Sequence, residues 1–325
     1  MKAIIPVAGI GTRLRPHTHT TPKALLHVAG KPILAHIVDE LASLGIEEIV
    51  LVVGHLGDRI QAYAKEHYGR LRLHFVQQGE PLGNGHAVYV AREYLDGSPV
   101  LIIFGDTIIK GDLRGMLRSP RAAAAVKEVE DPRRLGVVEL DGTGFIRRVV
   151  EKPQDPPSNL AVVGAYYLKD SRPARIALER LVAENRMARG EFWLADALQL
   201  MIDAGERMGV FPVQHWYDCG TVEAMLEANR ELLKLDPPRV PQNGRATIIP
   251  PSYVDPSAEI DGSTIGPYTS IAEHARISRS VIRDSIVGPH ATVQDSTLEW
   301  SLVGERAVVN ARSGRVNVAE VSSEA

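Results

Sequence analysis

The stretch Lys2–Leu26, KAIIPVAGIGTRLRPHTHTTPKALL, joins a short apolar run to a loop with two glycines, a threonine and two arginines, and Pro22–Lys23 follows soon after. The apolar run reads as a buried strand. In open parallel sheets ligands bind beyond the carboxyl ends of the strands, and this loop begins at such an end. Gly9 and Gly11 let main-chain N–H groups turn towards an anion with no Cβ in the way. Thr12 adds a hydroxyl, Arg13 a planar fork for phosphate oxygens and Lys23 a point charge. Leu14 stands where a dinucleotide fingerprint needs its third glycine, and no Gly-Lys-Ser/Thr is present. The loop therefore reads as a phosphate cradle of another kind.

Outward from this loop, apolar runs alternate with helical patterns. Strands are expected at KAIIPVAG, EEIVLVVG, LRLHFVQQ and PVLIIFGD. Ile33, Leu34, Ile37, Val38, Leu41 and Leu44 share one helical face that Gly45 stops, and DRIQAYAKEHYG and GHAVYVAREYLDG read as further helices. This alternation predicts an α/β fold with a mainly parallel sheet covered on both faces. AAAAVKEV, LGVVELDG, FIRRVVEKP and LAVVGAYYL read as antiparallel additions to it, making the sheet mixed. WLADALQLMIDAG and VEAMLEANRELLKL then return to helix.

The texture changes after LDPPRVPQNGRA, which reads as a linker. Beyond it Val254, Ile260, Ile265, Ile271, Ile277, Ile282, Val287, Val293, Leu298, Val303 and Val309 recur at intervals of five or six residues. Neither helices nor amphipathic strands repeat at that spacing. A left-handed parallel β-helix does, because each of its flat faces turns one apolar residue inward. The expected organisation is a catalytic domain over residues 1–236, a linker over 237–247, and a β-helix of rather under four turns with a C-terminal tail over 248–325.

Composition excludes several functions. A net charge of −3 gives no basic field for nucleic acid or an anionic membrane. No apolar run approaches the ~20 residues that span a bilayer. The single cysteine, Cys219, excludes an internal disulfide framework and fits a reducing cytoplasm. His17 and His19 read as exposed loop residues, and Arg147 and Arg148 as a solvated edge.

The loop resembles the signature loop of the sugar-1-phosphate nucleotidyltransferases, and other segments resemble that family in the same order: QQGEPLGNGHAV, FGDTII, LGVVELD, VVEKP, AVVGAYYL and HWYDCGT. The resemblance covers residues 1 to about 235 and implies a Rossmann-like domain. The coils extend it to the long form of the glucose-1-phosphate thymidylyltransferases. Each segment alone has an ordinary reading, since Gly-Asp after a strand is most often a turn and Glu-Lys-Pro most often surface. Their ordered co-occurrence decides otherwise.

The resemblance implies in-line attack of a sugar 1-phosphate on the α-phosphorus of a nucleoside triphosphate, with pyrophosphate leaving. It places Ala8, Gly9, Gly11, Thr12 and Arg13 on the triphosphate, Lys23 near the reacting centre, and Gln78 and Gly83 on the base. Asp106 and Asp218 would bind Mg²⁺. Gly136, Glu151, Lys152 and Gly164 would meet the sugar phosphate, with Tyr166 and Trp216 on the pocket wall. dTTP with glucose 1-phosphate is favoured; UTP with glucose, GTP with mannose, and a non-catalytic sugar-nucleotide-binding subunit are the alternatives. The coils, which contain His274 and His290, are too short for an acyl-donor cleft and are expected to mediate homo-oligomer assembly.

Overall fold

The structure is a computed structural model that describes residues 1–238 and 246–320. Of the expected linker, residues 239–245 lie outside the described residues, as do residues 321–325 of the expected tail.

The chain divides into two compact units, each discontinuous in sequence. The first comprises Met1–Ile10 with Ile37–Trp216, and the second Gly11–His36 with Tyr217 onwards.

A nine-stranded sheet organises the first unit. Its strands are β1 (Lys2–Pro6), β2 (Glu48–Val53), β3 (Arg72–Gln77), β4 (Val100–Ile103), β5 (Ala122–Glu128), β6 (Gly136–Leu140), β7 (Ile146–Glu151), β8 (Leu160–Leu168) and β9 (Met208–Pro212). They run in the order β7-β6-β8-β4-β1-β2-β3, with β5 pairing β8 and β9 pairing β5. β4, β1, β2 and β3 are mutually parallel, whereas β8 is antiparallel to β4, β5 and β6. β1, β2 and β4 are nearly all apolar, as two covered faces require, whereas the edge strand β3 (RLHFVQ) has no buried residue. Strand order reverses between β1 and β4, so the switch-point crevice opens where Ala8–Gly9 leave β1 and Gly105–Asp106 leave β4.

The expected helices are α1 (Ile33–Ser43), α2 (Gly57–Tyr68), α3 (Asn84–Val90), α5 (Leu194–Asp203) and α6 (Val222–Leu235). α3 is shorter than the pattern GHAVYVAREYLDG suggests, because the chain tightens into a 3₁₀ turn at Arg92–Tyr94. Two further helices went unread in the sequence: a single turn at Arg114–Leu117, and α4 (Arg172–Ala183), which buries Ala174, Ala177, Leu178 and Leu181 on one face.

In the second unit the C-terminal residues form the left-handed β-helix. Three sheets of short parallel strands stack, two with five strands and one with four. The inward residues align in columns, Ile265 over Ile282 over Leu298, and Ile277 over Val293 over Val309. The expectation of under four turns is corrected by an extra rung at each end. Ala246–Ile248 pairs with Ser263–Ile265, and Asn317–Val318 pairs with Leu302–Val303. Buried serines close the corners: the Ser280 and Ser296 main-chain N–H groups donate to Ser263 Oγ at 3.0 Å and Ser280 Oγ at 3.1 Å in the preceding coil. Corner polarity is thereby satisfied inside the stack.

Candidate functional site

On the crevice side of the first unit, two glycines are required by close packing. A Cβ at Gly105 would lie 2.4 Å from Val7 Cγ1 and 2.8 Å from the Pro6 carbonyl oxygen. A Cβ at Gly54 would lie 2.8 Å from the Ala8 carbonyl oxygen. These contacts let the ends of β2 and β4 press against the end of β1, which places Ala8 and the Gly105–Asp106 turn at the crevice.

The loop expected to face the base follows β3. Gln78 is 6% exposed, and its Nε2 donates to the Gly83 carbonyl at 3.1 Å. Gly83 has φ +100, and a Cβ there would meet the Phe192 carbonyl oxygen at 2.6 Å. Main-chain bonds tie this loop down: Phe192 N–H donates to the Leu82 carbonyl and Gly85 N–H to the Phe192 carbonyl, both at 2.8 Å.

An open cavity of about 670 Å³ lies beside the end of β7. Glu151 and Lys152 line it, together with Arg148, Arg189, Trp193 and Asp196. Glu151 sits opposite Gly136 in the β6–β7 pair, and a Cβ at Gly136 would come within 3.0 Å of Glu151 Oε2. Lys152 Nζ is 3.6 Å from Glu151 Oε1 and 4.0 Å from the centre of the Trp193 ring. Burial pushes the Glu151 carboxyl above its ordinary value, with Lys152 opposing the shift. Burial also raises the Asp196 carboxyl. The cavity thus combines cations, hydrogen-bond acceptors and an aromatic face, which suits a phosphorylated polyol. Arg147 and Arg148, read as a solvated edge, are exposed and line this cavity as well.

Tyr166 and Trp216, the two residues expected on the pocket wall, are not among those lining this cavity. Tyr166 is 4% exposed and packs in the core, its ring centre 5.7 Å from that of Phe104, and it does not line the cavity. Its place in β8 points it inward, opposite Ile102 and Ala124. Trp216 also stands off the cavity lining, half-buried, with its Nε1 buried and without a partner among the described residues. Gly164, at φ +78, is needed where a Cβ would collide with Phe104 and Thr107 at 2.9 Å. Arg189, Trp193 and Asp196 were missed in the sequence; the one available signal was an acidic residue in the first turn of α5.

The second unit holds the rest of the loop expected to cradle phosphates. Gly11 has φ +70 and packs on the Lys23 stem, where a Cβ would lie 3.2 Å from Lys23 Cβ. Thr12–Leu14 forms a 3₁₀ turn with Arg13 exposed. Arg13 and Asp218 converge at Gly220, where a Cβ would be 3.0 Å from Arg13 Nη2 and 3.0 and 3.2 Å from the two Asp218 oxygens. Thr221 caps α6 by accepting from Ala224 N–H at 3.2 Å, fixing the helix start beside Asp218. Asp106 and Asp218 belong to different units. No group of three or more His, Cys, Asp and Glu suited to a metal occurs among the described residues.

His17 corrects the sequence reading. It is 1% exposed, not a surface residue, and its Nε2 lies 2.6 Å from Asn317 Oδ1 in the last coil. Gly304 leaves room for the ring, since a Cβ there would be 2.7 Å from His17 Nδ1. Thr21 donates to Glu305 at 3.0 Å, Ala29 N–H donates to Asn229 at 2.9 Å, and Gly30 lies against the Tyr253 ring. His19, as expected, is exposed. A smaller hollow of about 300 Å³ on the coils is lined by His274, Arg276, His290 and Thr292.

The nucleotidyl transferase family profile matches residues 2–235, which hold the loop, the Gly-Asp turn and the Glu-Lys-Pro segment just described. The chain belongs to the nucleotidyl transferase family. This nucleotidyltransferase is 32% identical to the glucose-1-phosphate thymidylyltransferase of Streptomyces antibioticus, over 95% of this chain and 93% of that protein. It is 34% identical to the UTP–glucose-1-phosphate uridylyltransferase AglF of Haloferax volcanii, over 71% of this chain and 96% of the relative. Among solved structures it is similar to a UDP-glucose pyrophosphorylase complexed with UDP-glucose, with a TM-score of 0.62 and 27% identity over 72% of this chain and 98% of the other. No helix among the described residues is long and apolar enough to cross a membrane.

Proposed function

We propose that this nucleotidyltransferase joins a nucleoside triphosphate, dTTP in the first instance, to a sugar 1-phosphate, glucose 1-phosphate in the first instance, releasing pyrophosphate. The observation that carries the sugar-phosphate half is the cavity in which Glu151, Lys152 and Trp193 meet. Lys152 neutralises the sugar phosphate, while Glu151 accepts hydrogen bonds from sugar hydroxyls and Gly136 keeps space beside it. Gly164 presents main chain to the sugar, and the Trp216 indole N–H supplies a donor that no chain atom uses among the described residues. The amides of Ala8, Gly9, Gly11 and Thr12, with Arg13, hold the triphosphate and the departing pyrophosphate. Lys23 bears on the phosphates near the reacting centre, and Gln78 with Gly83 reads the base.

Both reactants are polyanions, so holding like charges in line is the main task, and positioning with neutralisation supplies most of the rate. Asp106 and Asp218 are the residues that would hold Mg²⁺. Their hard oxygen donors suit that ion, and Gly220 keeps the space beside the Asp218 oxygens clear of a Cβ. When bound, Mg²⁺ neutralises charge on the phosphate oxygens. We also propose that the coils mediate homo-oligomer assembly, a reading supported by the 72% exposure of Val308 on an outer face. Light scattering that found the same oligomer in a chain ending near Pro237 would remove that assignment.

The test is pyrophosphate release with Mg²⁺ and glucose 1-phosphate, comparing dTTP, UTP, GTP, ATP and CTP, with Asp106→Asn as control. Release with dTTP that the variant abolishes is expected. A preference for UTP, or for GTP once mannose 1-phosphate is supplied, changes the substrates and keeps the chemistry. Binding of sugar nucleotide without turnover on any pair would point to a regulatory subunit.

A further inference from the structure

The hydrogen bonds around Gln78 decide which way its amide faces. Nε2 donates to the Gly83 carbonyl at 3.1 Å and lies 3.1 Å from His86 Nδ1. A carbonyl oxygen can only accept, so the group facing Gly83 is the NH₂. The same NH₂ faces His86 Nδ1, so that ring nitrogen meets it as the acceptor, which is the tautomer with its proton on Nε2. Burial lowers the ring's proton affinity below the ordinary histidine value, with Glu80 opposing the shift. The ring itself is held by Tyr89 and Phe192, at 6.0 and 6.2 Å between centres. Both amide hydrogens of Gln78 are therefore engaged. Turning the amide over would set Oε1 against the Gly83 carbonyl, an unmade bond worth about 1–3 kcal/mol, and would force His86 to move its proton to Nδ1. Oε1 accepts no hydrogen bond among the described residues, and neither does the Gly83 N–H donate one.

We propose that His86 is a specificity-setting positioning residue: its bare Nδ1 locks the Gln78 amide with Oε1 outward, so the site takes nucleobases with a ring N–H at the pairing edge and rejects those with a ring lone pair there. This rests on the reading that Gln78 and Gly83 face the base. Thymine and uracil present an imide N–H flanked by carbonyls, matching an outward acceptor beside a free main-chain donor, and guanine presents the related lactam. Cytosine and adenine place a bare nitrogen at the same edge, so acceptor meets acceptor. The loss resembles that of any site built around a bond its ligand cannot make.

The experiment is calorimetric binding of dTTP, UTP, CTP and ATP to the full chain in Mg²⁺, without sugar phosphate, for the wild type, His86→Phe and His86→Gln. The wild type is expected to bind dTTP and UTP at least tenfold more tightly than CTP and ATP. In His86→Phe, which keeps the stacked ring and removes the acceptor, that ratio should shrink severalfold. His86→Gln, whose Oε1 supplies an acceptor again, should recover part of it. Thermal melts accompany each variant, and His86→Leu carries the same expectation if the phenylalanine variant does not fold. A purely structural role would weaken all four nucleotides by one common factor and leave the ratio unchanged, which overturns the proposal while leaving the base site in place. A wild type that prefers CTP or ATP also overturns it. A wild type that binds none of the four removes the base-site reading itself, and the proposal with it.

Discussion

The loop at Gln78–Gly85, proposed to face the base, and the segment at Gly11–His36, proposed to hold the phosphates, are held by different means. The first is laced by main-chain bonds to Phe192, within the same sheet-based unit. The second is held by side chains of the C-terminal coils and α6: Asn317 on His17, Glu305 on Thr21, Asn229 on Ala29. Main-chain lacing tolerates most side-chain changes but not a change of backbone shape. Side-chain anchoring reverses that vulnerability, and moves it to residues near the far end of the chain.

The sharpest test of the first half is Gly83→Ala. A Cβ there meets a carbonyl at 2.6 Å at a positive φ, so about 3 kcal/mol of stability should be lost through overlap and backbone strain. A melting temperature within a degree or so of wild type would show that the loop is not held as described. The matching test of the second half is Asn317→Ala, which strips the partner from a buried imidazole nitrogen at a cost of about 1–3 kcal/mol. Kinetics of this variant should show a raised KM for the triphosphate and an unchanged KM for the sugar phosphate. If both constants stay put, the coils do not set the phosphate segment.

Acid provides a smaller, graded version of the same contrast. Burial pulls both His17 and His27 below their ordinary value of 6.5, opposed by the Asn317 bond for the first and by Glu273, Glu305 and Asp255 for the second. The folded chain therefore holds these rings neutral. The unfolded chain takes up protons as pH falls below about 6.5, so their stability is complete above that pH and drains away beneath it. Denaturant titrations between pH 7.5 and 5.5 (on the order of one pH unit either side) should steepen accordingly, and His17→Gln should flatten part of the slope. Unchanged slopes in the variant would separate the anchor from the acid response.

The smallest stability effect is expected at Glu151. Its carboxyl is raised by burial, so ionising it opposes folding: stability is greatest at acid pH and declines as pH rises through the raised value. Glu151→Gln should abolish that decline and leave the fold intact, while raising KM for the sugar phosphate by about tenfold through the lost charge-assisted hydrogen bonds. An unchanged KM would take Glu151 out of the sugar pocket.

The sequence reveals whatever is periodic. Apolar runs gave the parallel strands, and spacings of five and six gave the coils, because burial on flat faces leaves a repeating mark. The C-terminal rung left no mark, since an exposed Gly314 pairs with Leu298 in the column where the earlier coils carry Ile265 and Ile282. The burial of His17 was equally hidden, because nothing near it in the chain announces a partner 300 residues away. Arg189 and Trp193 reach the cavity through the tertiary path of the segment before α5, which no local pattern encodes. Tyr166 is buried in β8, where every residue after Leu160 is buried, so no alternation marks it out. The loop glycines were legible because close approach and positive φ leave few other choices at Gly11 and Gly83.

The bond between His17 and Asn317 also carries a message about synthesis. The ribosome makes His17 300 residues before its anchor, so the segment waits through that length of synthesis without its final acceptor. A chain cut short anywhere in the last coil still contains every residue assigned to the chemistry. It lacks the clasp, and an incomplete product is left with a buried histidine unanswered, open to the proteases that clear unfinished chains.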